Sequence, residues 1–170
     1  MGADMTFEEF KSNVEQWQED RGIYAHSTAL AQALKAVSEI GELADAVIKG
    51  DRDALKDAVG DVVVCLVGVA KMTGCDIEVR PLIEKDVPDN NQVLAALAAY
   101  YVSDLASSIG VYERKSFFDD ALDESIIHLS LVAKSSGLTL LECCELAWLE
   151  IKDRKGKMVA GGAFVKDVDE

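Results

Sequence analysis

The stretch "DRDALKDAVGDVVVCLVGVAKMTG", residues 51–74, constrains the fold more than any other part of the chain. Its β-branched run Val62, Val63, Val64 would suit a buried strand. The length of the apolar pattern and a closing Gly74 favour a single long helix instead. Such a helix is apolar nearly all round, so it belongs at the centre of the molecule with other elements packed about it. Asp61 is then the anomaly, because Val59 before it and Val62 to Leu66 after it leave little helix face for water. An ionised carboxylate buried without a partner costs several kcal/mol or takes up a proton.

The rest of the chain also reads as helices. Thr6 stands three residues before Glu9, a capping-box pattern, and opens a polar amphipathic stretch ending near Arg21-Gly22. A second helix is expected over Ser27–Lys49, where Leu30, Leu34, Val37, Ile40, Leu43 and Val47 recur at three or four and Gly50 supplies the stop. Residues 75–90 hold both prolines, Pro81 and Pro88, and read as a connection. Three further helices are expected over Asn91–Ile109, Ser116–Ser135 and Thr139–Arg154, the last opened by a second capping box, Thr139 and Glu142. The tail "MVAGGAFVKD" has two short apolar pieces around Gly161-Gly162 that suit a small hairpin. The fold class is therefore all-α, a bundle of about six helices closed by a short C-terminal hairpin, and residues 1–170 read as a single domain.

"LVGVAKMTG" (66–74) and "LSLVAKSSG" (129–137) share Leu, Val-Ala-Lys and Gly. The same offset places Asp120 on Asp57 and Glu124 on Asp61. With one residue of slip, Asp104 falls on Glu42 and Tyr101 on Glu39. The echo suggests a degenerate duplication with two helical pairs facing each other in one chain, the second copy lacking a full acid set. Chance similarity between two apolar helices is the competing reading.

A net charge of -14 argues against nucleic acid or an anionic membrane as partner, since phosphates repel such a surface, and suits a protein that gathers cations. The acidic start has no signal-peptide character, and the apolar run around Val62–Val69 is far shorter than the ~18 residues that span a bilayer. A cytoplasmic setting is expected, the host cytoplasm if the chain is phage-encoded. The four cysteines, Cys65, Cys75, Cys143 and Cys144, form no Cys-x-x-Cys pair and read as free thiols.

Glu39 and Glu42 lie on neighbouring turns of one helix side, and Asp57 and Asp61 do so on the next helix. An antiparallel hairpin turning at Gly50–Asp53 brings these four carboxylates together. An average acid on an average helix is simply solvated, and Asp45, which has no counterpart on the following helix, fits that description. A buried cluster asks for a cation instead. Oxygen donors with no histidine or cysteine nearby select Mg²⁺, with Mn²⁺ as the alternative, over zinc. A di-iron carboxylate bundle needs Glu-x-x-His from two helices, and neither His26 nor His128 follows a Glu at that spacing. His128 reads as a satisfied core residue, and two histidines offer little for a nucleophilic triad.

Glu39-Ile-Gly-Glu42, a short loop, and then Gly60-Asp61 opening an apolar helix resemble the MazG-like branch of the all-α nucleoside triphosphate pyrophosphohydrolases, as do "ALKAVSEIGELADAV", "DAVGDVVV" and "LAWLEIKDRKGKMV...FVK". The resemblance covers residues 6–74 and 137–167 and is nearest to phage-associated and related bacterial members. It implies cleavage between the α and β phosphates of a (d)NTP to give NMP and pyrophosphate, with Glu39, Glu42 and Asp61 as metal ligands. The family's second Glu, three residues before the final Asp, is Ala58 here, and Asp57 stands one position earlier as a substitute. Residues 75–136 form an inserted or duplicated segment where compact relatives pass almost directly to the closing helix. The dimeric dUTPases of the same superfamily build a larger subunit in a related way. Four-helix relatives pair across subunits, so a homodimer or higher homo-oligomer is expected.

Phosphoanhydride cleavage needs charge neutralisation and an aligned water more than a protein nucleophile. Glu39 is the choice for orienting that water or taking its proton. "IKDRKGK" gathers Lys152, Arg154, Lys155 and Lys157 as phosphate contacts, although cations at a helix carboxyl end are also favourable for their own sake. Lys35, one turn before Glu39, either pairs with that acid or approaches phosphate. Trp17 is the candidate to stack on the base, against the simpler role of a core tryptophan. The competing class is a non-catalytic helical binding or regulatory protein that keeps the MazG-like scaffold, for which Ala58 and the long insertion speak.

Overall fold

The computed structural model describes residues 5–82, 88–112 and 115–167. Six long helices and one short one appear in order: α1 (Phe7–Asp20), α2 (Ile23–His26), α3 (Ala29–Lys49), α4 (Arg52–Thr73), α5 (Asn91–Val111), α6 (Lys115–Ser135) and α7 (Leu140–Ile151), followed by strands β1 (Gly156–Met158) and β2 (Phe164–Lys166). The all-α reading holds, and the C-terminal hairpin forms as an antiparallel pair with Met158 opposite Phe164.

The local signals do what their chemistry dictates. Thr6 and Thr139 each close a full capping box, with Glu9 and Glu142 respectively. Gly50 ends α3 at φ 67°, a left-handed conformation open to glycine at little cost, and Asp51 caps α4 by accepting from the Ala54 N–H at 3.0 Å. The α3–α4 link is therefore as short as an antiparallel helix pair allows.

Two helix pairs, α3–α4 and α5–α6, pack against each other chiefly along α3 and α5, and α7 lies across α4. The Val62–Val64 run is helical and buried, so α4 is the central element its composition demands. Two glycines let neighbours reach its backbone. A Cβ on Gly60 would fall 2.8 Å from that of Ala147 and closer still to the Cys143 carbonyl oxygen on α7. At Gly68 a Cβ would meet the Gln18 amide at 3.0 Å, where Gln18 Nε2 donates to the Val64 carbonyl.

Three expectations need correction. The single turn α2 was not anticipated, because four residues carry no periodicity. The last helix stops at Ile151 rather than Arg154, which places Arg154 in the turn leading to β1. From the sequence, only the run around Val62–Val69 is weighed as a possible span, whereas among the described residues α5 is the single helix long and apolar enough to cross a membrane by length and composition. Leu94, Ala98, Val102 and Leu105 are nevertheless at most 1% exposed against their neighbours, as in a bundle helix.

α5 begins 62 residues after α3, and α6 begins 63 after α4, close to the offset of the sequence echo. The centre of the expected connection, residues 83–87, lies outside the described residues.

Candidate active site

A cleft of about 280 Å³ opens between α1, α3, α4 and the C-terminal hairpin. Trp17, Ile23, Val64 and Phe164 give it an apolar wall, and Lys35, Glu39, Asp61 and Arg154 supply its charged groups. Of the residues singled out from the sequence, Trp17, Lys35, Glu39, Asp61 and Arg154 meet here. Lys152, Lys155 and Lys157 are exposed and do not line it. Charge density alone had grouped the four basic residues, and only one of them is aimed by the turn after α7.

The charged lining is built by helix geometry. Glu39 is 6% exposed, one of few charged groups so buried, and it is ion-paired with Lys35 one turn earlier. The Lys35 side chain is half exposed, so the pair spans the wall from core to solvent. Glu42 lies on the next turn and faces solvent, while Asp45 is exposed and paired with Lys49, as its solvated reading requires. Across the hairpin, Asp57 and Asp61 are half-buried on successive turns of α4.

The electrostatics are those of crowded acids. Burial, followed by the charges of Asp57 and Glu39, pushes Asp61 up to about 7, against a smaller opposing pull from Arg154. Burial raises the Cys65 thiol as well, which keeps it neutral beside Glu39. One acid was missed from the sequence. Glu150, on the last turn of α7, meets Asp57 carboxyl to carboxyl, and partial desolvation together with the Asp57 charge raises its pKa. Asp57 Oδ1 is buried with no hydrogen-bond donor among the described residues. The signal was Ala58: a lost acid invites a search for its replacement elsewhere in the fold.

Among the described residues, no three His, Cys, Asp or Glu side chains converge closely enough to hold an ion as they stand. The donor chemistry still fits a hard divalent cation. Asp57, Asp61, Glu39 and Glu150 offer only oxygen, they influence one another electrostatically, and the buried Asp57 Oδ1 has no hydrogen-bond partner among the described residues.

Trp17 is 7% exposed and its Nε1–H has no partner among the described residues. The Arg21 guanidinium lies over its ring at 4.5 Å while donating to the Arg154 carbonyl at 2.7 Å, so one side chain fixes both the aromatic wall and the turn that presents Arg154. Outside the cleft, His128 stacks on Tyr101 at 4.6 Å and bonds the Glu124 carbonyl, as a satisfied histidine should.

An all-α chain with an acid-lined cleft between antiparallel helices is the class that this fold and site define. Residues 27–84 match the family model of the MazG nucleotide pyrophosphohydrolase domain, so the resemblance read from the acids holds for the helix pair that carries them. The chain is also 42% identical over 64 residues to an uncharacterized 18.2 kDa protein from the rep-hol intergenic region of Haemophilus phage HP1. That alignment spans 38% of this chain and 39% of the phage protein. No solved structure matches.

Proposed function

We propose that the protein is a Mg²⁺-dependent nucleoside triphosphate pyrophosphohydrolase that cleaves a (d)NTP between the α and β phosphates, releasing NMP and pyrophosphate. The observation that carries this reading is one cleft lined both by Glu39, Asp61 and Arg154 and by the aromatic side chains Trp17 and Phe164. Its dimensions and polarity suit a planar base joined to a charged chain.

Asp57, Asp61, Glu39 and Glu42 are the residues that would hold the metal, with Glu150 beside Asp57. When bound, Mg²⁺ neutralises phosphate charge and lowers the pKa of a coordinated water. The remaining work falls to the chain. Arg154, which lines the cleft with Asp61, meets the phosphates, and Lys35 shields Glu39 until substrate competes for its charge. Glu39 orients the attacking water and accepts its proton as the new bond to the α phosphorus forms and the α–β bridging oxygen leaves with pyrophosphate. Trp17 packs against the base.

With Mg²⁺, the purified protein should convert one or more (d)NTPs to NMP and pyrophosphate. Glu42→Ala and Asp61→Ala should each abolish turnover while leaving the helical circular dichroism intact. Full activity in both variants would remove the proposed site. A second reading is favoured by one observation: the acids do not converge as they stand. On that reading the chain is a non-catalytic binding protein. Calorimetric titration with Mg²⁺, with and without nucleotide, separates the two, because metal binding without nucleotide binding supports the scaffold.

A further inference from the structure

We infer that the C-terminal hairpin is the specificity wall of the cleft, with Phe164 setting the room for the substrate's base and a Ser27–Gly162 latch holding the wall in place. The inference rests on the nucleotide reading above and assigns a role to Gly162 and Phe164, which lie outside the matched segment 27–84.

Three-residue strands have little stability of their own, so the hairpin stays where its anchors put it. At the tip, Ser27 Oγ donates to the Gly162 carbonyl at 2.6 Å, and Gln32 Nε2 donates to Ser27 Oγ at 3.0 Å. Gln32 is itself buried and lines the cleft, which ties the latch to the wall opposite. Gly162 is required twice over. It sits at φ 81°, and a Cβ there would fall 3.0 Å from Ser27 Cα. At the strand end, the Phe164 ring meets Trp17 edge-on at 5.4 Å and lies over Gly156, where a Cβ would be 2.6 Å from the ring.

The consequence is chemical. Phe164 and Trp17 meet edge-on in the cleft lining and carry no charge, so a change at Phe164 alters contact with a ring and removes no charged group. Base selectivity should therefore depend on the hairpin, and pyrophosphate affinity should not.

The test uses the full chain in a Trp148→Phe background, leaving Trp17 as the fluorescent reporter of the two tryptophans. The α,β-methylene analogues of dUTP, dCTP, dATP and dGTP, and pyrophosphate alone, are titrated in the presence of Mg²⁺. Phe164→Ala, Phe164→Leu and Gly162→Ala are compared with the parent, each checked for unchanged helical circular dichroism. Phe164→Ala should weaken the tightest analogue by about 10-fold and reorder the purine-to-pyrimidine ratio, with pyrophosphate unchanged. Gly162→Ala should move the ratio in the same direction through the latch, and Phe164→Leu should move it less. Analogues that keep their relative affinities in all three variants overturn the specificity wall and leave the nucleotide reading standing. A parent protein that binds neither analogues nor pyrophosphate overturns the nucleotide reading, and the wall with it.

Discussion

Glu150 on α7 is the electrostatic neighbour of Asp57 on α4, and Asp57 Oδ1 is buried with no hydrogen-bond partner among the described residues. Two acids in this arrangement either share a proton or share a cation. Glu150→Gln should therefore lower Mn²⁺ affinity by about 10-fold or more, read by electron paramagnetic resonance with no substrate present. Affinity equal to the parent's would confine the metal to α3 and α4.

Asp61 makes the protein's stability depend on pH in a defined sense. Its folded value of about 7 lies above the ordinary 3.8, so between these values the folded state holds a proton that the unfolded chain has released. Stability accordingly falls as pH rises from about 4 to about 7 and levels off above. In chelator, thermal melts followed by circular dichroism should show a higher midpoint at pH 5 than at pH 7.5. Mg²⁺ should restore the midpoint at pH 7.5. Asp61→Asn should flatten the pH slope and raise the metal-free midpoint at pH 7.5 by a few degrees, and the same change should abolish turnover. A variant that melts with the parent's pH slope would assign the effect to other groups.

Gly60 is the point at which α7 touches α4, and the obstacle to any side chain there is the Cys143 backbone. Gly60→Ala should cost about 1–3 kcal/mol in urea denaturation, the usual range for overpacking. It should also raise the KM for nucleotide, because α7 carries Glu150 and leads into Arg154. An unchanged KM in the destabilised variant would show that α7 can shift without disturbing the cleft.

Thr139 supplies the contrast, since its capping box with Glu142 lies at the opposite end of α7 from the cleft. Thr139→Ala should cost about 1 kcal/mol of stability, measured by urea denaturation, and leave kcat and KM as they were. A loss of turnover comparable to that of Asp61→Ala would mean that the start of α7 takes part in the site.

The sequence makes legible those features that depend on neighbours in the chain. The apolar repeat of α3, the stops at Gly50 and Gly74, both capping boxes, and the acids at three- and four-residue spacing follow from one helix geometry. The bounds of α1 and α3 to α6 accordingly come close, while α7 ends three residues early and α2 was not read. Glu150 stays hidden because its place beside Asp57 depends on α7 lying on Gly60, a contact between distant segments with no periodic trace. Arg154 is visible as one basic residue among four, yet its selection requires the Arg21 hydrogen bonds that fix the turn. Phe164 reads only as a strand residue until the hairpin is seen folded back onto Trp17.

The packing of α5 along α3 has a thermodynamic consequence. Both helices belong to one chain, so bringing them together costs loop-closure entropy, which grows only logarithmically with loop length. It does not cost the translational freedom of a second molecule. The α3–α5 contact itself should therefore withstand dilution, whatever pairing between chains adds to it.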